Sequence, residues 1–152
     1  MKKAFTLLEL IIVVAILALT AAVGWPALNL YQSSSRLETG AEQAADFLRM
    51  ARQASWSGLQ GTSHGVKLMT NRVVYFSGSS YASRDAAQDR DVFFDKGLGL
   101  SWQLIGDGPA DEIVFARNTG RPSRTGELVL GLVDGSGRRL ALNRWGLVEI
   151  LP

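Results

Sequence analysis

From Leu10 to Leu30 the chain carries not one charged side chain, and Glu9 stands at the head of that run. About 21 residues make roughly 30 Å of helix, the thickness of bilayer hydrocarbon. A carboxylate at the centre of such a span costs roughly 2.5–3.5 kcal/mol, and less near an end. It requires a partner, and the run itself holds no cation. The partner is then another copy or another protein, which makes the segment an element of assembly as well as an anchor. Lys2 and Lys3 precede it and stay cytoplasmic, so the remainder is exported. A cleaved secretory signal is the rival reading, with Ala18, Ala21 and Ala22 as small residues for the cut. The apolar part of such a signal is usually about 7–15 residues, shorter than this run. Gly24 and Pro26 weaken the helix. Pro26 removes a backbone donor and crowds the preceding turn, so a kink is predicted there.

The chain has 152 residues, enough for about one domain beside the apolar segment. It has no cysteine, so disulfides and thiolate metal sites are excluded. The formal charge is +2, and Lys2 and Lys3 account for all of it. The exported part is therefore balanced, and global charge gives no argument for nucleic acid.

The helix is predicted to continue past the bilayer. Leu37, Ala41, Ala44, Leu48 and Ala51 recur at helical spacing, Phe47 widens that face, and Gly58 and Gly61 end it. This is an amphipathic helix docking on a globular domain. From His64 the pattern changes to short β-rich runs: Val66–Met69, Arg72–Phe76, Asp91–Phe94, Gly99–Ile105, Glu112–Ala116, Glu127–Val133, Arg138–Asn143 and Leu147–Ile150. Thr70-Asn71 and Asp134-Gly135-Ser136-Gly137 read as turns between strands. The polar stretch Ser77–Arg90 reads as a surface loop. The fold class is α+β: a long N-terminal helix packed on an all-β C-terminal domain. The predicted division is 1–4, a leader; 5–31, a transmembrane and assembly helix; 32–60, its amphipathic continuation; and 61–152, the β-rich domain.

Catalytic chemistry has little to stand on. His64 is the lone histidine, read as a loop or strand-edge residue. Asp107, Asp111 and Glu112 form an acidic cluster without a calcium-loop motif and read as a solvated turn. Gly97-Leu98-Gly99 and Gly120-Arg121 lack the strand–loop–helix setting of a phosphate cradle. With one histidine a triad has no support. The reading is a non-enzyme with no cofactor and no metal. One patch is basic: Arg117, Arg121, Arg124, Arg138, Arg139 and Arg144, with Trp145 beside them. Such a patch can serve a protein partner, or DNA through phosphate contacts and stacking.

Lys2-Lys3-Ala4-Phe5-Thr6-Leu7-Leu8-Glu9-Leu10-Ile11-Ile12-Val13-Val14 resembles the class III leader of type IV prepilins and type II secretion pseudopilins. The resemblance implies cleavage between Ala4 and Phe5, N-methylation of Phe5, and a Glu9 that pairs with the terminal amine of a neighbouring subunit. The family strongly prefers glycine where this chain has Ala4. The layout as a whole is similar to H-type minor pseudopilins and T-type minor pilins. So are the stretches Ile113–Pro122 and Leu140–Val148. The implied partners are other pilin or pseudopilin subunits, the prepilin peptidase and methyltransferase, and the inner-membrane assembly platform. The implied location is the inner membrane, single-pass, and then a pilus or pseudopilus. T-type minor pilins of DNA uptake use a C-terminal Gly-Arg-x-Arg element. Here that place reads Gly146-Leu147-Val148-Glu149, with both arginines missing. The alternatives are a DNA-binding minor pilin and a signal-anchored β-domain protein.

Overall fold

A computed structural model of the chain describes residues 6–151, the side chains of 23–30 excepted. The cleavage and methylation positions Ala4 and Phe5 lie outside the described residues. The kink predicted at Gly24 and Pro26 falls in 23–30 and lies outside them too. The chain divides into two compact units, one ending at Ser35 and one beginning at Arg36. Helix α1, Leu7–Trp56, contributes to both.

In the first unit the helix start is explained by Thr6. Its Oγ1 accepts the Glu9 amide at 3.2 Å, one of the donors that a helix end leaves without an intrahelical acceptor. Thr20 Oγ1 donates back to the carbonyls of Ile16 and Leu17, so the hydroxyl is satisfied within the apolar run. Among the described residues no helix is long and apolar enough to cross a membrane. The described apolar side chains of this unit, Leu7 to Ala22, make roughly 24 Å of helix against about 30 Å of hydrocarbon.

The second unit is built on two antiparallel sheets and the C-terminal part of α1. Its strands are β1 (His64–Met69), β2 (Arg72–Ser77), β3 (Arg90–Phe93), β4 (Leu98–Gly106), β5 (Glu112–Phe115), β6 (Arg124–Leu132), β7 (Gly137–Leu142) and β8 (Val148–Leu151). The first sheet has the order β3-β2-β1-β5 and the second β4-β6-β7-β8. Every pairing is antiparallel. Thr70-Asn71 closes the β1–β2 hairpin, since Met69 faces Arg72. The β6–β7 turn is fixed by Asp134, whose Oδ1 accepts both the amide and the hydroxyl of Ser136.

The core follows the two periodicities. On α1, Leu37, Ala41, Ala44, Ala45, Leu48 and Ala51 are buried against the sheets. The alanines let the helix backbone come close, and at Gly40 even a Cβ would meet Leu130 Cδ2 at 2.6 Å. On β6, Leu128 and Leu130 are fully buried while Glu127 is exposed; on β7, Leu140 and Leu142 are buried while Arg139 is exposed. A one-residue slip would turn both leucine sets to water, at roughly 1.5–3 kcal/mol for each side chain. Past Trp56, Gly58 takes φ 67°, the left-handed conformation that stops a helix without a Cβ penalty.

His64 differs from its sequence reading. It opens β1, an interior strand, and is fully buried. Its Nε2 lies 3.1 Å from the Leu59 carbonyl, which can only accept. Nε2 therefore carries a proton, and Nδ1 lies 2.7 Å from the Tyr75 hydroxyl. A buried polar ring with both nitrogens partnered is a structural pin. Periodicity missed it because the partners come from a neighbouring strand and from a turn.

Candidate functional site

Glu9 occupies the first turn of α1 and is exposed. In the unit that holds it, every large apolar side chain described from Leu7 to Leu19 is between 44% and 77% exposed. Among the described residues no cation pairs with Glu9. The position eases the cost assigned from sequence. The positive end of the helix dipole favours a carboxylate in the first turn by about 0.3–1 kcal/mol. What remains is an exposed apolar helix surface and one negative charge at its head. Chemically, that surface can dock on other apolar helices and take up one cation.

In the second unit the acidic cluster is not the solvated turn read from sequence. Glu112, on β5, is only 5% exposed. Its Oε1 accepts from Lys67 Nζ at 3.2 Å and its Oε2 from the Tyr81 amide at 3.1 Å. Lys67 also reaches Asp111 at 2.8 Å. Burial works against the Lys67 charge, but bonds to Asp111 and Glu112 outweigh it and hold the ammonium above its ordinary 10.5. The same bond pushes the Asp111 carboxyl below its ordinary 3.8. Asp107 is exposed and outside this triad. Among the described residues no three His, Cys, Asp or Glu side chains could hold a metal ion.

The triad organises the loop that follows β2. Tyr81, tied by its amide to Glu112, packs its ring in a T-shaped contact with Phe76. Arg84 lies 3.7 Å from the Tyr81 ring centroid and pairs with Asp89 at 2.6 Å. Asp85 Oδ1 caps a 3-10 turn, Ala86–Gln88. The stretch Ser77–Arg90 is thus a loop built on its own side-chain bonds. It forms one wall of a groove of about 450 Å³, with Ser79 and Ser80 on that side and Glu112, Val114 and Pro109 beyond. Lys67 and Tyr81 went unremarked in the sequence. Lys67 breaks the apolar run of β1 at a position where its neighbours Val66 and Leu68 face the core, and that was the available signal.

The six arginines of the basic patch do not form one surface. Arg138 pairs with Glu38 of α1 at 3.0 Å. Arg124 begins β6 and is not in the turn before it; its guanidinium donates to the carbonyls of Leu104, at 3.3 Å, and Gly108. Arg139 stands exposed on β7. Arg121 and Arg144 come together, each 5.2 Å from the centroid of the Trp145 ring. Arg117 lies near Gly61. Arg52 of α1, which the sequence did not single out, joins this end by donating Nε–H to the Trp145 carbonyl at 3.1 Å.

Residues 1–25 match the family described as the prokaryotic N-terminal methylation motif. Two solved structures of the minor pseudopilin EpsH, from the type II secretion system of Vibrio cholerae, share the fold with a TM-score of 0.58. This chain carries a prepilin-type N-terminus on a pilin-like α+β fold. The two EpsH structures are each 14% identical to it. One alignment covers 76% of this chain and 96% of EpsH, the other 77% and 94%. No curated protein sequence matches the chain.

Proposed function

We propose that this chain is a minor pseudopilin, a structural subunit of a type II secretion pseudopilus, and not an enzyme. The observation that carries the reading is the methylation motif over residues 1–25, at the head of a chain that folds like EpsH. In this reading the prepilin peptidase cuts between Ala4 and Phe5 and Phe5 is methylated. The apolar segment from Leu7 to Leu30 holds the precursor in the inner membrane, with Lys2 and Lys3 on the cytoplasmic side. The assembly platform then draws the subunit into a filament.

The physics of that last step follows from the exposed helix. Apolar side chains leaving lipid for neighbouring helices gain little from hydrophobic transfer, because lipid is as apolar as they are. Packing and one specific ion pair must supply the preference. Glu9, with no cation among the described residues, is suited to a terminal amine from the adjacent subunit. The test is mass spectrometry of the N-terminus of the protein isolated from membranes. A chain beginning with N-methylated Phe5 is the expected result. An intact Met1, or a cut near Ala22, would overturn the reading in favour of a signal-anchored protein.

A further inference from the structure

The end of the second unit where α1 stops gathers charge and aromatic surface that the assembly reading leaves unused. The turns at Gly120 and Gly146 are packed on the last turns of the helix. A Cβ on Gly120 would lie 3.2 Å from Arg52 Cγ and 3.3 Å from Trp56 Cβ, and one on Gly146 would lie 2.7 Å from the Gly120 carbonyl. The Asn118 amide donates to the Ser55 carbonyl at 2.8 Å. This packing fixes Arg52, Arg121 and Arg144 around Trp145, with Arg117 on the neighbouring turn. None of these four arginines forms an ion pair among the described residues. Around them Trp56 is 60% exposed, Trp145 51% and Leu147 53%.

We infer that this end of the domain is a docking site for an acidic, partly apolar segment of another protein. Two features set the class of partner. Unpaired guanidiniums select carboxylates or phosphates, which they hold with paired N–H donors. Tryptophan and arginine together, with an exposed leucine beside them, have the composition of a protein–protein hot spot. Nucleic acid fits less well. A strand needs a continuous basic track along its phosphates, but Arg138 is committed to Glu38 and Arg124 to two carbonyls, which interrupts such a track beyond this end. The exported part of the chain is also balanced in charge and gives no long-range attraction for a polyanion. The inference does not depend on the chain entering a filament, because every residue it uses belongs to the second unit.

The test uses the full chain in neutral phosphatidylcholine nanodiscs, with empty nanodiscs as blank. Three labelled probes are titrated by fluorescence anisotropy at several salt concentrations: a ten-residue Glu/Leu peptide, decaglutamate and a ten-nucleotide oligothymidylate. The Glu/Leu peptide should bind most tightly, weaken as salt rises and quench Trp fluorescence. Arg121→Gln with Arg144→Gln should weaken it at least tenfold, and Trp145→Ala by a similar factor, while Lys96→Gln leaves it unchanged. The arginine variants remove only exposed groups, so they remain informative if Trp145→Ala does not fold. Oligothymidylate binding as tightly as the peptide would assign the surface to nucleic acid and overturn the proposal. Absence of peptide binding, or binding indifferent to the arginine changes, would overturn it as well.

Discussion

Glu9 is placed to do two things, and substitution separates them. As a first-turn acid it supports the helix start, an effect of about 0.3–1 kcal/mol. As the acidic group at the head of an apolar surface it can pair with a neighbour. Glu9→Gln keeps most of the helix start and removes the charge. We expect Glu9→Gln and Glu9→Ala to insert normally and both to be depleted from filaments; equal co-purification of either with wild type would remove the assembly role. Lys67 is the second decisive residue. Asp111 has a lowered pKa, so its contribution to stability is complete above its ordinary 3.8 and is lost as pH falls through the lower folded value. Lys67 has a raised pKa, so its contribution is complete below its ordinary 10.5 and is lost as pH rises through the higher folded value. The wild type should therefore lose stability at both extremes. Lys67→Ala should lower stability at neutral pH by about 3 kcal/mol, because it leaves the buried Glu112 without its cation. Thermal melts from pH 3 to 11 check both limbs. A variant melting like wild type at pH 7 would show that the triad contributes nothing.

Among the elements, the β5–β6 and β7–β8 turns, which pack on the last turns of α1, carry more than their polar composition suggests. Gly146 has φ 76° and its missing Cβ makes room for the Gly120 carbonyl. Gly146→Ala should cost roughly 1–2 kcal/mol for the left-handed backbone alone, and more for the contact. A melting temperature several degrees lower is the expected outcome, and an unchanged one would mean the turns can shift apart. Arg124 and Arg121 look alike in sequence, two arginines three apart in a Gly/Pro-bearing stretch. Their environments differ. Arg124 closes the 104–108 segment through two carbonyls and its Nε is buried without a partner, whereas Arg121 is exposed over Trp145. Arg124→Glu should therefore destabilise by about 1–3 kcal/mol, since two carbonyls lose a charged donor. Arg121→Glu should leave the circular dichroism melt unchanged. The reverse order would show that the contact residue and the structural residue have been exchanged.

For the whole molecule, the α+β layout was legible because it rests on local periodicity. The eight β-rich runs became eight strands, and Leu37, Ala41, Ala44, Leu48 and Ala51 are all buried on α1. The motif at the N-terminus was legible for the same reason, since its signal is a contiguous string. What the chain does as a whole is tested by a pull-down of minor subunits from one membrane, with full-length wild type and Arg121→Glu as baits. Capture by wild type and loss with the variant is expected; equal capture would remove Arg121 from the contact. The sequence by itself determined which segments are helix and which are strand, and which face of each is apolar, because these follow from the spacing of neighbours along the chain; where β1 and β6 begin, at His64 and Arg124, it did not. Only the tertiary structure decided that His64 is a buried pin, that Glu112 is the anchor of a loop, and that two of the six arginines are already engaged. Each of those outcomes depends on a partner far away in sequence: Tyr75 for His64, Lys67 for Glu112, Glu38 for Arg138 and Leu104 for Arg124. Whether a polar side chain is free or satisfied is fixed by sheet order and helix docking, which the spacing of residues along the chain does not encode.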